Sequence, residues 1–139
     1  MQAKPKFVIF AHNATYDKLH QVATFGLTAA AMGKDVIVIL LFWTIKKLAE
    51  GQIDALDFPP EYAVSSPRVA QLLKEKKVPL ISEMFQEAKL VGSFRVIACS
   101  AGLEYMDVKA DAVEKHVDEV LGLPAIISLT SGAETTLFI

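Results

Sequence analysis

The single cysteine of this chain, Cys99, is the residue with the most distinctive chemistry. It ends an apolar run at residues 95–99, and the small residues that follow it predict a flexible turn. In open α/β sheets ligands bind at the carboxyl ends of strands, and free backbone N–H groups in a turn can stabilise an anionic sulfur. Ser100 and Gly102 are therefore candidate ligand-contacting residues beside a partly exposed, reactive thiol. The alternative is a buried, inert thiol that packs as a small hydrophobic side chain.

Polar residues also follow the first two apolar runs of the chain. His12 and Asn13 come directly after the first run, Tyr16 begins the next helical segment, and Thr44 follows the second run. If the strands are parallel, these side chains share one sheet edge with Cys99 and could line a single substrate pocket. His12 is then a candidate partner for the thiol. Ordinary capping and turn chemistry is the alternative for His12 and Asn13.

Signatures of metals, cofactors and nucleic-acid binding are absent from the sequence. His20 and His116 have no ligand spacing with His12, and one cysteine excludes an internal disulfide and a Cys-rich zinc site. The dinucleotide, P-loop, zincin and α/β-hydrolase motifs do not occur. A net charge of −2 and a pI near 5.9 provide no positive field for a phosphate backbone. We expect no metal, no cofactor and no nucleic-acid partner.

Apolar runs without polar alternation predict strands that are covered on both faces. These runs are residues 6–11, 35–43, 95–99 and 135–139. Between the first two, apolar residues recur at helical spacing from Leu19 to Ala31, and Gly33 is of the type that commonly ends a helix. This β-α-β pattern predicts parallel strands joined by a right-handed crossover.

Further helices are predicted at residues 45–50, 69–77, 83–91 and 110–116, with Ser82 as the N-cap of the third. Residues 52–67 contain three prolines and predict a loop that could act as a lid. Residues 124–130 are ambiguous, since adjoining isoleucines favour a strand and Pro124 suits the first turn of a helix. The pattern predicts one α/β domain over residues 1–139, with four or five strands.

The chain is more apolar than an ordinary domain, with 53% hydrophobic residues and a mean hydropathy of +0.37. We therefore expect a homo-oligomer that hides apolar surface. The candidate interface residues are Phe42, Trp43, Leu103, Tyr105 and Phe138. The longest apolar run, residues 36–43, is too short to cross a bilayer, and the first residues lack the apolar stretch of a signal peptide. We expect a cytoplasmic protein without a membrane span.

Several stretches, in their order and spacing, resemble the DsrE/DsrF-like sulfur-carrier proteins, which include members described as peroxiredoxin-like. The matching stretches are residues 29–36 (AAAMGKDV), 41–48 (LFWTIKKL), 77–92 (KVPLISEMFQEAKLVG), 96–100 (VIACS) and 137–139 (LFI). They extend from the first helical segment to the end of the chain. The family cysteine that follows a Val-Ile-Ala strand falls on Cys99.

The resemblance implies a three-layer sandwich of about five mostly parallel strands with helices on both faces, a helix at residues 124–130, and assembly into homo-oligomers. It also implies a sulfur-relay protein, or sulfurtransferase, in which Cys99 carries sulfane sulfur as a persulfide. The partners would be acceptor thiols together with donor proteins or small sulfane-sulfur donors. A peroxiredoxin cycle would need an external thiol, because the chain has no resolving cysteine. The alternative is a non-enzymatic small-ligand-binding or assembly subunit in which Cys99 only packs or senses redox state.

Overall fold

A sheet of five parallel strands organises the protein, as seen in a computed structural model that describes residues 3–139. The strands are β1 (Lys6–Ala11), β2 (Asp35–Leu40), β3 (Ser93–Cys99), β4 (Glu119–Leu121) and β5 (Thr135–Phe138). Their order across the sheet is β4-β3-β2-β1-β5, and every neighbouring pair is parallel. The predicted α/β class and parallel sheet are confirmed.

Helices connect successive strands, as parallel pairing requires. They are α1 (Tyr16–Ala31), α2 (Trp43–Ala49), α3 (Ser66–Glu75), α4 (Ile81–Val91), α5 (Ser100–Tyr105), α6 (Ala110–Glu114) and α7 (Leu123–Thr130), with a short 3-10 turn at Pro60–Tyr62. The segment that was ambiguous in the sequence, residues 124–130, is therefore helical. None of the helices in residues 3–139 has the length and apolarity that crossing a bilayer demands.

The two faces of the sheet are covered by different helices. Phe94 of β3 contacts Phe85 of α4, with ring centroids 5.3 Å apart, so the Phe94 side faces α4 and its neighbour α1. Side chains alternate along a strand, so Cys99 points to the opposite face. Lys6 lies on that opposite face, and its Nζ donates a hydrogen bond to the Leu129 carbonyl of α7 at 2.7 Å. The predicted three-layer arrangement is confirmed.

The inner strands form the centre of the core. Val8 and Ile9 of β1, all of β2 after its first residue, and residues 96–98 of β3 are 0% exposed. Burial of consecutive residues shows that both faces are covered, which explains why these runs lack polar alternation.

The second strand is shorter than the apolar run that predicts it. It ends at Leu40 rather than Trp43, because Phe42 takes a positive φ of 51° and turns the chain, and Trp43 begins α2. A positive φ is uncommon outside glycine and leaves no signature in composition. The predicted strand boundary and the predicted start of the helix at residue 45 are therefore wrong.

Ser82 is not the N-cap of α4, contrary to the sequence prediction. The helix begins at Ile81 with Leu80 before it, and the Glu83 carboxylate accepts a hydrogen bond from the Leu80 N–H at 3.2 Å. Ser82 instead donates from its backbone N–H and its hydroxyl to the carboxylate of Asp54, at 3.0 and 2.6 Å. A contact between residues 28 positions apart is not visible in a local capping pattern.

The remaining boundaries differ from the prediction at a few helix and strand ends. Strand β4 was not predicted, because it has three residues and begins with the exposed Glu119. Helix α3 begins at Ser66 and ends at Glu75, rather than covering residues 69–77. Helix α6 ends at Glu114, two residues before the predicted end at His116.

Helices α1 and α4 approach each other closely near Gly92, which follows α4. A Cβ atom placed on Gly92 would lie 2.5 Å from the carbonyl oxygen of Ala30 in α1. Backbone atoms of a packed helix cannot move aside as a flexible side chain can, so this position requires glycine for close approach rather than for its backbone angles.

We expect Gly92→Ala to destabilise the protein by about 1–3 kcal/mol, because the added methyl forces α1 and α4 apart. Urea unfolding followed by circular dichroism measures the change. Leu90→Ala is the matched control, since Leu90 is 86% exposed on α4 and its truncation should change stability by less than about 0.5 kcal/mol. Equal stability of the Gly92→Ala variant and the native protein would contradict the close approach.

Candidate functional site

The carboxyl edge of the sheet carries most of the residues that the sequence singles out. Because all strands are parallel, the ends of β1, β2 and β3 meet at this edge. His12 follows β1, Thr44 lies in the first turn of α2 after β2, and Cys99 ends β3. The structure thus brings these residues to one edge, which is where open α/β sheets bind ligands.

Cys99 is buried, with 3% of its surface exposed, so the expectation of a partly exposed thiol is wrong. It is the last residue of β3 and immediately precedes α5. No hydrogen bond to its sulfur occurs within residues 3–139. The thiol therefore sits at the correct edge of the sheet, but beneath the surface.

The residues after Cys99 do not form a flexible turn, contrary to the prediction. They form the first turn of α5, whose backbone N–H groups have no acceptors within the helix. Ser100 is exposed, and its hydroxyl oxygen lies 3.7 Å from where a Cβ of Gly122 would be. Gly102 is buried, and a Cβ there would lie 2.5 Å from Cδ1 of Ile45, so glycine lets α5 pack against α2. Packing therefore accounts for Gly102 without a ligand.

His12 and Asn13 are exposed, and their backbone N–H groups donate to the Ile139 carbonyl at 2.9 and 3.3 Å. These bonds attach the end of the chain to the first strand. Strand β2 lies between β1 and β3. The backbones of His12 and Cys99, at the ends of β1 and β3, are therefore about 10 Å apart, which is two strand spacings. His12 makes no hydrogen bond to Cys99 in the described part of the chain and is not placed to act as its base.

Thr44 is completely buried, and its hydrogen bonds stabilise this edge of the sheet. Its hydroxyl donates to the Ala11 carbonyl at 2.8 Å and accepts the Leu41 N–H at 3.0 Å. It thereby links the ends of β1 and β2, and its complete burial leaves no surface for a ligand to contact.

Tyr16 lines a cleft of about 380 Å³ next to Asp54, and Cys99 is not part of the lining of that cleft. Its ring contacts Phe58 and His20, with centroids 5.5 and 5.6 Å apart. Burial and the nearby Asp54 charge raise the pKa of Tyr16, so its hydroxyl remains protonated. Burial lowers the pKa of His20, whose Nε2 is buried without a hydrogen-bond partner. The single pocket expected for all the candidates is therefore not formed.

An aromatic pair at the edge was not predicted as part of the site. Phe42 and Tyr105 stack with ring centroids 6.1 Å apart; Phe42 is half exposed and Tyr105 is largely exposed. The positive φ of Phe42 costs free energy and places its ring on this surface. Strained backbone of this kind concentrates at functional sites.

Lys47 is the other residue that sequence reasoning missed. Its side chain is 6% exposed, and its ammonium group donates to the carbonyls of Ala14 and Ala55 and forms an ion pair with Asp57. The Asp57 carbonyl also accepts the Tyr16 N–H at 2.9 Å. Lys47 thus fixes the first part of the proline-containing segment against the start of α1, and that part is anchored rather than free to act as a lid.

Within residues 3–139, no group of three or more histidine, cysteine, aspartate or glutamate side chains could hold a metal ion. The chain matches no protein-family model and no curated protein. In structure it is similar to a conserved protein of unknown function from Bacteroides thetaiotaomicron, with a TM-score of 0.61 and 17% sequence identity. The match covers 97% of this chain and 95% of that one. At this identity the likeness shows the fold alone.

We expect Lys47→Met to destabilise the protein by about 2–3 kcal/mol, because it removes a buried ammonium group and leaves two part-buried carbonyls and the Asp57 carboxylate without their charged donor. The neighbouring Lys46→Met is the control, since Lys46 is 47% exposed and its pairing with Glu50 at 4.0 Å contributes little. Urea unfolding measures stability, and limited proteolysis measures the release of residues 52–58. If both variants behave alike, Lys47 does not anchor this segment.

Proposed function

We propose that the protein is a sulfur carrier, in which Cys99 holds sulfane sulfur as a persulfide and passes it to a partner thiol. The observation that carries this proposal is the position of Cys99, the last residue of an inner strand at the carboxyl edge, directly before a short helix. The resemblance of the sequence to DsrE/DsrF-like proteins supports the same residue. No other nucleophilic thiol exists in the chain.

Access to Cys99 in this proposal comes from local opening of α5. The helix has six residues, of which only Gly102 and Leu103 are buried. A short element with few buried side chains opens at a lower free-energy cost than the sheet beneath it. Opening exposes Cys99 to a donor, and closing returns the loaded sulfur to a buried place where water and small oxidants are excluded.

The transfer consists of two thiol–disulfide-type exchanges. The Cys99 thiolate attacks the outer sulfur of a donor persulfide, R–S–SH, so that a new S–S bond forms and the donor leaves as its thiolate, R–S⁻. An acceptor thiolate then attacks the terminal sulfur on Cys99, and the Cys99 thiolate is released. Each step forms one S–S bond and breaks one, so no external oxidant or cofactor is consumed.

The proposed partners are sulfane-sulfur donors, either proteins or small molecules, and acceptor thiols. A free, unpaired cysteine persists in a reducing compartment, which agrees with a cytoplasmic protein. The competing function is a non-enzymatic binding or assembly subunit. The 3% exposure of Cys99 and the absence of a base at hydrogen-bond distance in the described chain favour that alternative.

Assembly into a homo-oligomer is part of the proposal. Large apolar side chains are exposed on one side of the sheet and at its carboxyl edge, which marks surface that a second copy could cover. They are Phe42 (48%), Trp43 (59%), Tyr105 (70%), Leu123 (51%), Ile127 (68%) and Phe138 (70%). Leu103, a candidate from the sequence, is 7% exposed and belongs to the core of the chain itself.

Protein incubated with glutathione persulfide and freed of donor by gel filtration should deliver up to one sulfur per chain to an added thiol. The released persulfide is measured by trapping with monobromobimane. Cys99→Ser should deliver none, because no other thiol can form the persulfide. Ser131→Ala should deliver as much as the native protein, because Ser131 is exposed and follows α7, away from Cys99. Native protein that delivers no more sulfur than Cys99→Ser would contradict the carrier function and support the binding or assembly alternative.

The oligomer is tested by light scattering coupled to gel filtration at micromolar concentration. We expect a mass of at least two chains for the native protein, and dissociation on Phe138→Glu, since a charge in an apolar interface remains without a partner. Leu90→Glu is the control, because Leu90 is also exposed (86%) but lies on α4, on the other side of the sheet. A native monomer would contradict the assembly.

A further inference from the structure

Helix α3 has an apolar face that is not buried. The face is formed by Val69, Leu72 and Leu73, and none of the residues of the helix is buried. An amphipathic helix in a folded domain ordinarily covers such a face completely. The space beneath α3 is therefore incompletely filled by the chain.

The cleft that also contains Tyr16 lies in this space. Its volume of about 380 Å³ is within the usual range of small-molecule sites, roughly 300–1,000 Å³. Its apolar walls include Leu56, Leu73 and Leu80 from three different segments of the chain. Leu56 and Leu80 are each 49% exposed. Exposure of apolar surface to water is unfavourable, so a ligand that covered these side chains would gain binding free energy.

Positive charge dominates the polar lining of this cleft. Lys74 and Lys77 border it, and neither has a carboxylate within 4.0 Å in the described chain. The one acidic group in the lining, Asp54, accepts hydrogen bonds from Ser82 at both carboxylate oxygens. The Tyr16 hydroxyl, kept protonated by its raised pKa, is a further donor. Such a cleft suits a ligand with an apolar body, which would contact the walls, and a negatively charged group, which would contact the lysines at the border.

We infer that this cleft binds an apolar carboxylate of the medium-chain fatty-acid type, with its chain beneath α3 and its carboxylate at Lys74 and Lys77. A phosphate-rich ligand such as a nucleotide fits less well, because the walls are mostly aliphatic and the lining supplies two cations rather than a ring of donors. Neither Cys99 nor Ser100 lines the cleft, so this inference is independent of sulfur transfer.

Isothermal titration calorimetry with sodium decanoate, below its micelle concentration, tests the site. We expect saturable binding of one decanoate per chain and weaker binding of the neutral analogue decanol. The double variant Lys74→Gln, Lys77→Gln should bind decanoate about fivefold more weakly or worse, because two exposed ion pairs are lost. The matched double variant Lys76→Gln, Lys109→Gln removes the same charge outside the cleft and should bind as the native protein does.

A third variant tests the apolar part of the site. Ala70 lines the cleft from α3, so Ala70→Leu fills it and should reduce decanoate binding without changing the circular dichroism spectrum. Absence of saturable binding to the native protein would overturn the inference. Equal losses in the two lysine double variants, or equal affinity for decanol and decanoate, would overturn the assignment of the carboxylate to Lys74 and Lys77.

Discussion

Buried polar groups of α2 hold the carboxyl edge of the sheet together. The Thr44 hydroxyl links the ends of β1 and β2, and the Lys47 ammonium, one turn later, links α2 to the loops that precede α1 and follow α2. Buried donors and acceptors of this kind must be paired, because an unpaired one costs about 1–3 kcal/mol. The turn at Phe42, where φ is 51°, starts α2 shortly after β2 ends and so brings Thr44 and Lys47 to this edge.

That edge determines what Cys99 can do. β3 lies beside β2, so its end, and the thiol with it, is held at a defined place next to α2 and α5. Gly102 lets α5 pack tightly on Ile45, which contributes to the burial of the region around Cys99. In the proposed carrier, exposing the thiol requires opening only the six residues of α5 rather than the sheet. Burial and reactivity are thus compatible in a carrier that opens to exchange sulfur.

The sheet was predictable because strands covered on both faces leave continuous apolar runs, as residues 6–11 and 36–40 do. The common edge of His12, Thr44 and Cys99 followed from parallel pairing. The burial of Cys99 and the separation of Tyr16 from it could not be predicted, because both depend on contacts between distant segments. Examples are Asp54 with Ser82, 28 residues apart, and Lys47 with Ala14, 33 residues apart. A local pattern contains no information about such pairs.

The mass of the intact protein after incubation with inorganic polysulfide is the most direct test of sulfur carriage. If Cys99 carries sulfur, the folded protein gains one sulfur, about 32 Da, which is located on Cys99 and is removed by dithiothreitol. An unchanged mass in the folded protein, together with sulfur uptake only after denaturation in urea, would show that Cys99 has only a packing role. That result would contradict the proposed function.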